Sequence, residues 1–195
     1  TTVQLNVLEK TVLNEEQRKT LHTAQQMLQR LQTLSEKLLQ LARAESGIAW
    51  KRGDIDLREL LELLCHDHQW RTVLQLQLNL PTSPVIIQGD IDALGIVLGN
   101  LIENAIKYAT PGSSIHIELS TTPVQICIIN DCDPLPMSTM ERLHERFYRA
   151  RSDSRGSGLG LSIVQTLLKP TSIDLSFRSP ASESHRGFEV KLTWL

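Results

Sequence analysis

The sequence predicts an α+β fold in which a helical hairpin is followed by a two-layer α/β sandwich. Three observations lead to this prediction. Leucines recur at spacings of three, four and seven residues through positions 15–45, which indicates a long amphipathic helix. Apolar and polar residues alternate in several later segments, as they do in strands with one buried face. The two patterns occupy different parts of the chain, so a helical unit and a mixed unit are expected.

The helical unit is assigned to residues 1–46, and its long helix to residues 15–45. The apolar stripe of this helix consists of Leu21, Leu28, Leu31, Leu34, Leu38 and Leu41. A shorter repeat, Leu5, Leu8 and Val12, predicts the other arm of a hairpin joined near residues 13–15. A lone hairpin cannot cover both of its apolar faces, so two copies are expected to pair as a four-helix bundle. The alternative is a hairpin folded against the rest of its own chain.

The mixed unit is assigned to residues 55–195, after a linker at residues 47–54. Asp56 is expected to cap a helix through residues 57–64, and Asp90 a second helix. Strands are expected at residues 73–80, 85–88, 115–119, 126–129, 173–177 and 188–194. A helical pattern begins again near residue 161. Helices on the buried face of one sheet make a two-layer sandwich.

The composition excludes some classes of function. The chain has 195 residues, 41% of them hydrophobic, and a formal net charge of −2, so nothing favours nucleic acid as a partner. No run approaches the roughly 18 apolar residues of a membrane span, and no signal peptide opens the chain. The three cysteines, Cys65, Cys127 and Cys132, lack CxxC spacing and are predicted to be reduced thiols.

A first polar motif lies in residues 99–108. Asn100, Asn104 and Lys107 are spaced at i, i+4 and i+7, which places them on one face of a helix. Two amide oxygens suit a hard cation such as magnesium, and an ammonium suits a phosphate. Glu103 lies beside this face and is interpreted as a solvated surface charge, with a catalytic base as the alternative.

A second motif lies in residues 156–162, where Gly156, Gly158 and Gly160 alternate and lead into an apolar helical pattern. Backbone N–H groups at such a helix start bind anions. Alone, each motif is typical of an ordinary helix or a tight turn. Between the two motifs, however, lie Asp131, which follows an apolar strand, and the segment at residues 145–149. The order of the four elements makes the pattern specific.

These four elements resemble the N, G1, F and G2 boxes of the bacterial sensor histidine kinases, which belong to the Bergerat-fold ATPase superfamily together with gyrase and MutL. The resemblance covers nearly the whole chain and implies a sandwich of the Bergerat ATP-binding type. It implies that ATP and Mg²⁺ are the cofactors. It also implies transfer of the γ-phosphoryl group to a histidine, and relay to an aspartate on the receiver domain of a response regulator.

The resemblance has consequences for assembly and location. It implies a homodimer formed through the helical hairpin. It also implies the cytoplasmic part of a bacterial inner-membrane protein, which would reach the membrane only through segments outside this sequence.

The resemblance also implies roles for residues of the first motif and for Asp131. Asn104 is the magnesium ligand, and Asn100 is a second contact to the metal or to phosphate. Lys107 neutralises phosphate charge and Tyr108 lies against the ribose and base. Asp131 accepts a hydrogen bond from the adenine amino group.

For the later motifs, the resemblance implies that Arg149 is directed at the terminal phosphate and that Phe147 anchors a lid at residues 150–156. Catalysis is therefore assigned to Asn104, Lys107 and Arg149, with Glu103 as the further candidate. The phosphate-binding loop is expected to contain Gly156, Ser157, Gly158, Leu159 and Gly160.

Two departures from the family pattern stand out. Asp133 and Leu135 replace the G1 glycines, and each would cost about 1–2 kcal/mol if the loop required a positive φ there, weakening nucleotide binding. The H box with its phosphoacceptor histidine is also absent, and residues 1–3 look like those just after it. The chain is therefore expected to begin past that box and not to phosphorylate itself alone. His66 and His68 are spaced at i, i+2 and are not expected to bind zinc.

Two alternative functions stay open. One is a degenerate nucleotide-binding or dimerisation module without kinase activity, which the altered G1 box motivates. The other is a different ATPase or a serine kinase of the same superfamily, against which the hairpin and the F box argue.

Overall fold

The computed structural model describes residues 15–45, 52–66, 75–148, 157–182 and 185–195. The helices in these ranges are α1 (Glu15–Glu45), α2 (Leu57–His66), α3 (Ile91–Tyr108), α4 (Met137–Met140) and α5 (Gly160–Leu168). The strands are β1 (Gly53–Asp56), β2 (Gln75–Asn79), β3 (Ile86–Gly89), β4 (Ser114–Thr121), β5 (Val124–Asn130), β6 (Ile173–Arg178) and β7 (Phe188–Trp194). This order confirms the predicted α+β class.

Five strands form one mixed sheet in the order β2-β4-β5-β7-β6. The β2–β4 pair is parallel, and the other neighbours are antiparallel. The predicted alternation is present in β4, where Ile115, Ile117 and Leu119 are buried while His116 and Glu118 are exposed. One face of the sheet is therefore covered by helices, as in a two-layer sandwich.

Helix α3 is the central helix of the covering layer. Its N-terminal N–H groups are capped by Asp90, whose side chain accepts a hydrogen bond from the Ala93 N–H at 3.0 Å, as the sequence predicts. It packs against β5 and α5. The buried side chains of α3 include Leu94, Val97, Leu98, Leu101, Ile102 and Ala105.

Helix α1 has the predicted bounds and docks on α5 of the same chain. Leu41 is buried and Leu34 packs against the core, so the chain itself covers part of the leucine stripe. Most other large apolar side chains of α1 are exposed, namely Met27, Leu28, Leu31, Leu38 and Leu39, whereas Leu21 is partly buried. The predicted first arm of the hairpin lies outside the described residues.

The structure corrects one predicted boundary. Gly53 and Asp54 were assigned to the linker, but they belong to β1, which pairs antiparallel with β3 in a separate two-stranded sheet. This strand has only four residues, and Ile55 is its one buried apolar side chain. A period-two pattern cannot be recognised in so short a segment. Positions 47–51 of the predicted linker lie outside the described residues.

The three cysteines are free thiols, in agreement with the sequence. Burial raises the pKa of Cys65 and of Cys127 to about 11, so both are protonated at neutral pH. None of the helices within the described ranges is both long and apolar enough to cross a membrane.

Asp56 joins the start of α2 to the strand pair, and this contact gives a testable prediction. Its Oδ1 accepts hydrogen bonds from the Arg58 N–H at 3.0 Å and from the Val85 N–H at 3.1 Å. We expect Asp56→Ala to lower the free energy of unfolding by about 1–3 kcal/mol, because two partly buried donors lose their acceptor. Asp56→Asn keeps an Oδ1 acceptor, so it should lower the free energy of unfolding much less. Urea denaturation checks both variants, and equal losses would contradict the assignment.

Candidate functional site

A cavity lies between α3, the start of α5 and the end of β5, with one contribution from α1. Its polar and glycine residues are Lys37, Asn100, Glu103, Asn104, Lys107, Tyr108, Asn130, Asp133, Tyr148, Ser157, Gly158 and Gly160. Its remaining lining residues are Leu101, Ala105, Cys132, Leu135, Leu143, Leu161, Phe188 and Val190. The structure thus brings most of the first motif together with the described part of the second.

Asn100 is buried, with 3% of its surface exposed, and both ends of its amide are hydrogen bonded. Its Nδ2 donates to the Ile96 carbonyl oxygen at 2.7 Å, one turn earlier in α3. Its Oδ1 accepts from the Lys37 Nζ at 2.6 Å. The amide oxygen that was predicted to face a metal or phosphate therefore already binds a positive charge.

Lys37 is a functional candidate that the sequence reasoning missed. Its Nζ also lies 2.8 Å from Glu103 Oε2, and the two side chains are 14% and 41% exposed respectively. Glu103 is therefore a half-exposed carboxylate that is paired with a lysine from another helix. No local signal in the sequence identifies this contact, because it arises only when α1 docks on the sandwich.

The start of α5 faces the two amides of α3. A Cβ at Gly160 would lie 3.2 Å from Asn100 Oδ1 and 3.5 Å from Asn104 Nδ2. A side chain at this position would therefore fill the space beside both amides. Among the residues that the structure describes, no side chain caps α5, and the N–H groups of its first turn lack acceptors within the helix. Such a helix start suits an anion.

Lys107 and Tyr108 both line the cavity. The Lys107 Nζ donates a hydrogen bond to the Tyr108 hydroxyl at 3.0 Å and lies 4.6 Å from the centre of the tyrosine ring. The ammonium is thus held at the cavity wall by its neighbour.

The second motif and the F segment are only partly brought into the cavity. Ser157, Gly158 and Gly160 line it, whereas Leu159 is fully buried in the core. Phe147 does not line the cavity and its side chain is 60% exposed, but its N–H donates to the Gly158 carbonyl oxygen at 3.0 Å. Phe147 thus anchors this region through its backbone. Arg149, Gly156 and the predicted lid at residues 150–156 lie outside the described residues.

Tyr148 lines the cavity, although the sequence reasoning gave it no role. The Arg142 guanidinium lies 4.4 Å from the centre of its ring. Arg142 also donates to Glu145, and this hydrogen bond lowers the pKa of the Glu145 carboxyl. Arg142, just before the F segment, therefore contacts two of its residues, Glu145 and the cavity-lining Tyr148.

Asp131 was predicted to contact the base, but the structure does not place it among the cavity-lining residues. Its Oδ1 accepts from the Arg186 Nε at 3.2 Å, and the side chain is half exposed. Asn130, one residue earlier, is buried and lines the cavity. The sequence held a signal for it: Ile126 and Ile128 precede it at alternate positions on the buried face of β5.

The loop after β5 does not carry the strain that was expected at Asp133 and Leu135. Neither residue has a positive φ; among described residues other than glycine, only Phe147 does. The Leu135 N–H donates to Ser179 Oγ at 2.9 Å, and the Gly187 N–H donates to the Cys132 carbonyl oxygen at 2.8 Å. Hydrogen bonds to the neighbouring strands therefore hold the loop in a path that needs no glycine.

Across the described ranges, no group of three or more His, Cys, Asp or Glu side chains is placed to hold a metal ion.

Comparison with known proteins identifies relatives. Residues 89–195 match the family described as histidine kinase-, DNA gyrase B- and HSP90-like ATPases. The chain is 34% identical over 177 residues to the probable sensor histidine kinase TcrY of Mycobacterium tuberculosis. This alignment covers 84% of this chain and 36% of TcrY. It is 31% identical over 196 residues to the swarming motility regulation sensor protein RssA of Serratia marcescens. This alignment covers 97% of this chain and 42% of RssA. The chain spans less than half the length of these curated relatives.

Solved structures share the fold. Full-length ShkA in complex with AMPPNP aligns with a TM-score of 0.73 at 22% identity, over 98% of this chain and 41% of that chain. The mycobacterial sensor histidine kinase MprB aligns with a TM-score of 0.60 at 22% identity, over 73% and 96%. At such identities the likeness is evidence for the fold alone.

The contact between Gly158 and Phe147 gives a second prediction. Gly158 and Gly112 both have positive φ values, 71° and 81°, but only at Gly158 would a Cβ meet the backbone, 2.7 Å from the Phe147 carbonyl carbon. We expect Gly112→Ala to lower the free energy of unfolding by about 1 kcal/mol from the left-handed backbone alone. Gly158→Ala should lower the free energy of unfolding by clearly more, because Phe147 must also move. Urea denaturation compares the two variants. Equal losses of stability would contradict this prediction, because they would show that the Phe147 backbone moves aside at little cost.

Proposed function

Because the chain belongs to the family of histidine kinase-, DNA gyrase B- and HSP90-like ATPases, we propose that it is the ATP-binding catalytic core of a two-component sensor histidine kinase. The longer protein would transfer the γ-phosphoryl group of ATP to a histidine and then to an aspartate of a response regulator receiver domain. The observation that carries this proposal is one cavity that combines Asn100, Asn104 and Lys107 with the uncapped start of α5.

The residues at the amide end of the cavity fit Mg²⁺. Asn100 Oδ1 and Glu103 Oε2 already bind the Lys37 ammonium, so this set of oxygens accepts a cation. The glycine at position 160 leaves space beside Asn104. Mg²⁺ is bound through oxygen ligands, several of them phosphate or water oxygens. Asn104 and Asn100 would hold it.

Several groups at the cavity could act on the phosphates. When bound, Mg²⁺ offsets the negative charge of the phosphate oxygens. The Lys107 ammonium adds a second positive charge, and the N–H groups at the start of α5 donate to phosphate oxygens. Leu101 and Leu161 supply apolar lining to the cavity. Arg149, which lies outside the described residues, stays the predicted partner of the terminal phosphate.

We further propose that the protein is a homodimer formed through α1, and that it is the cytoplasmic part of a membrane-anchored parent. Leu28, Leu31 and Leu38 support the first proposal, because they form an exposed apolar stripe beside the part of α1 that docks on α5. The second is supported by the relatives named as sensor proteins, of which this chain spans only part.

The degenerate-module alternative loses the backbone strain on which it partly depended. It depended on strain or obstruction caused by the missing glycines at positions 133 and 135. The loop has no positive φ at either residue, so no left-handed strain weakens the site there.

Asn104→Ala tests the metal assignment. We expect titration calorimetry to show that this variant loses about tenfold or more of the ATP affinity measured in magnesium, because the cation loses an oxygen ligand. Affinity in EDTA should not change. Asn79→Ala is the matched control, because Asn79 lies on β2 and contacts Glu118 rather than the cavity. Equal affinities for wild type and Asn104→Ala in magnesium would refute the assignment.

Lys37→Met tests whether the lysine and the metal compete. We expect this variant to bind ATP more tightly than wild type in magnesium, because the Asn100 oxygen no longer has to release an ammonium first. The gain should disappear in EDTA. Lys19→Met, an exposed lysine on the same helix, is the control. If Lys37→Met instead weakened ATP binding in magnesium, Lys37 would be a phosphate ligand rather than a competitor.

A further inference from the structure

Cys132 is a cavity-lining cysteine to which the proposed function gives no role. It lies two residues after β5, and 7% of its surface is exposed. Asp133 lines the cavity beside it, and the Asp133 side chain is 70% exposed, so the thiol lies close to solvent. Cys132 continues the buried phase of Ile128 and Asn130, but it lies outside the hydrophobic core that the described residues form. It is thus a residue of the cavity wall rather than of the core.

The other two cysteines are placed differently. Cys65 belongs to the hydrophobic core, and Cys127 has the opposite phase on β5, where Glu118 and Lys191 are its cross-strand neighbours. Neither of them lines the cavity. Burial raises the pKa of both thiols to about 11, and a protonated thiol is a poor nucleophile. The chain thus contains two internal controls for the reactivity of Cys132.

An independent observation points to a ligand beside this thiol. Asn130, two residues earlier, is 2% exposed and lines the same cavity, and its Nδ2 has no hydrogen-bond partner within the described part of the chain. Nearly all buried polar groups in folded proteins are paired, since an unpaired donor loses its hydration without compensation. A ligand in the cavity would supply the acceptor. The Cα atoms of Asn130 and Cys132 are at most about 7 Å apart, so one small molecule can reach both side chains.

The surroundings of the thiol favour an uncharged molecule. Leu135, in the same loop, and Phe188, at the start of β7, supply apolar lining to the cavity. The Arg186 guanidinium pairs with Asp131 at 3.2 Å and with Asp133 at 3.0 Å, so the charges beside Cys132 offset one another. A compound with apolar carbon atoms and one hydrogen-bond acceptor therefore fits this part of the cavity.

We propose that Cys132 is a covalent modification site for small, uncharged α,β-unsaturated carbonyl compounds, and that the adduct excludes nucleotide from the cavity. The thiolate sulfur forms a bond to the β-carbon, and the π electrons of the carbon–carbon double bond move towards the carbonyl oxygen. The thiol proton goes to water and the α-carbon takes a proton from water, so no group leaves and no oxidant is needed. The Asn130 Nδ2 donates to the carbonyl oxygen, on which negative charge develops. The exclusion of nucleotide rests on the proposed function.

Labelling of folded wild type with N-ethylmaleimide at neutral pH, followed by mass spectrometry of the cysteine peptides, tests the modification site. We expect Cys132 to react at least about tenfold faster than Cys65 and Cys127. In urea, the three thiols should react at similar rates. Asn130→Leu should lower the rate at Cys132 about threefold or more relative to Cys127, because the carbonyl oxygen loses its donor. Thermal melting shows whether this variant is folded, and the wild-type rates decide if it is not.

The same reagent tests the exclusion of nucleotide. We expect saturating ATP with magnesium to slow labelling of Cys132 by about tenfold or more and to leave the rate at Cys127 unchanged. In titration calorimetry, labelled wild type should lose about tenfold or more of its ATP affinity. Cys132→Ser, exposed to the reagent in the same way, should keep the affinity that it has before exposure.

The outcomes separate the two halves of the proposal from the proposed function. Labelling of Cys132 no faster than of Cys65 and Cys127 would overturn the modification site, and an unchanged ratio of rates in folded Asn130→Leu would overturn the role of Asn130. Selective labelling without protection by ATP and without loss of ATP affinity would overturn the exclusion of nucleotide. If untreated, folded wild type binds no ATP, the proposed function and the exclusion both fail, whereas faster labelling of Cys132 still supports the modification site.

Discussion

Helix α3 packs its apolar face against the sheet and α5, and this contact sets the direction of its polar face. Leu98, Leu101 and Ile102 are almost completely buried, whereas Asn104 and Lys107 line the cavity. A shift of one residue turns a helix by about 100°, which would expose these apolar side chains at about 1.5–3 kcal/mol each. Hydrophobic packing, rather than any polar contact, therefore holds the amides towards the cavity. The arrangement of groups available to a metal or phosphate follows from that packing.

The same principle applies to the lysine that enters from α1. Leu34 and Leu41 pack against the core, and this places Lys37, on the same side of the helix, beside Asn100. The ion pair itself contributes little to stability, since Glu103 is half exposed and such pairs contribute about 0–1 kcal/mol. Apolar contacts thus bring the ammonium to the amide oxygen, and the polar contact there is free to exchange with another cation. Docking of α1 and the cation that the Asn100 oxygen binds are in this way physically coupled.

Local patterns were sufficient to predict most of the fold. The bounds of α1, the Asp90 cap and the one-sided strands depend on residues close in sequence, and each was found. Strand β1 was missed because its four residues, with one buried apolar side chain, carry no recognisable period-two pattern. Among the site residues, the amides of α3 were predicted from helical spacing, whereas the contacts of Lys37 and Arg186 depend on segments brought together only by folding. At the end of β5, the resemblance favoured the carboxylate of Asp131, although the phase set by Ile126 and Ile128 places Asn130 on the buried face.

The loop after β5 explains how this end of the cavity keeps its shape without glycine. The Asp131 carbonyl oxygen accepts from Thr110, the Cys132 carbonyl oxygen accepts from Gly187, and the Leu135 N–H donates to Ser179. Each such hydrogen bond contributes about 0.5–1.5 kcal/mol, so together they hold the loop between the end of α3 and the neighbouring strands. A side chain at the start of so constrained a loop loses little further freedom when a ligand binds. The end of β5, with Asn130 buried in the cavity wall, is therefore held in place by the loop's own hydrogen bonds.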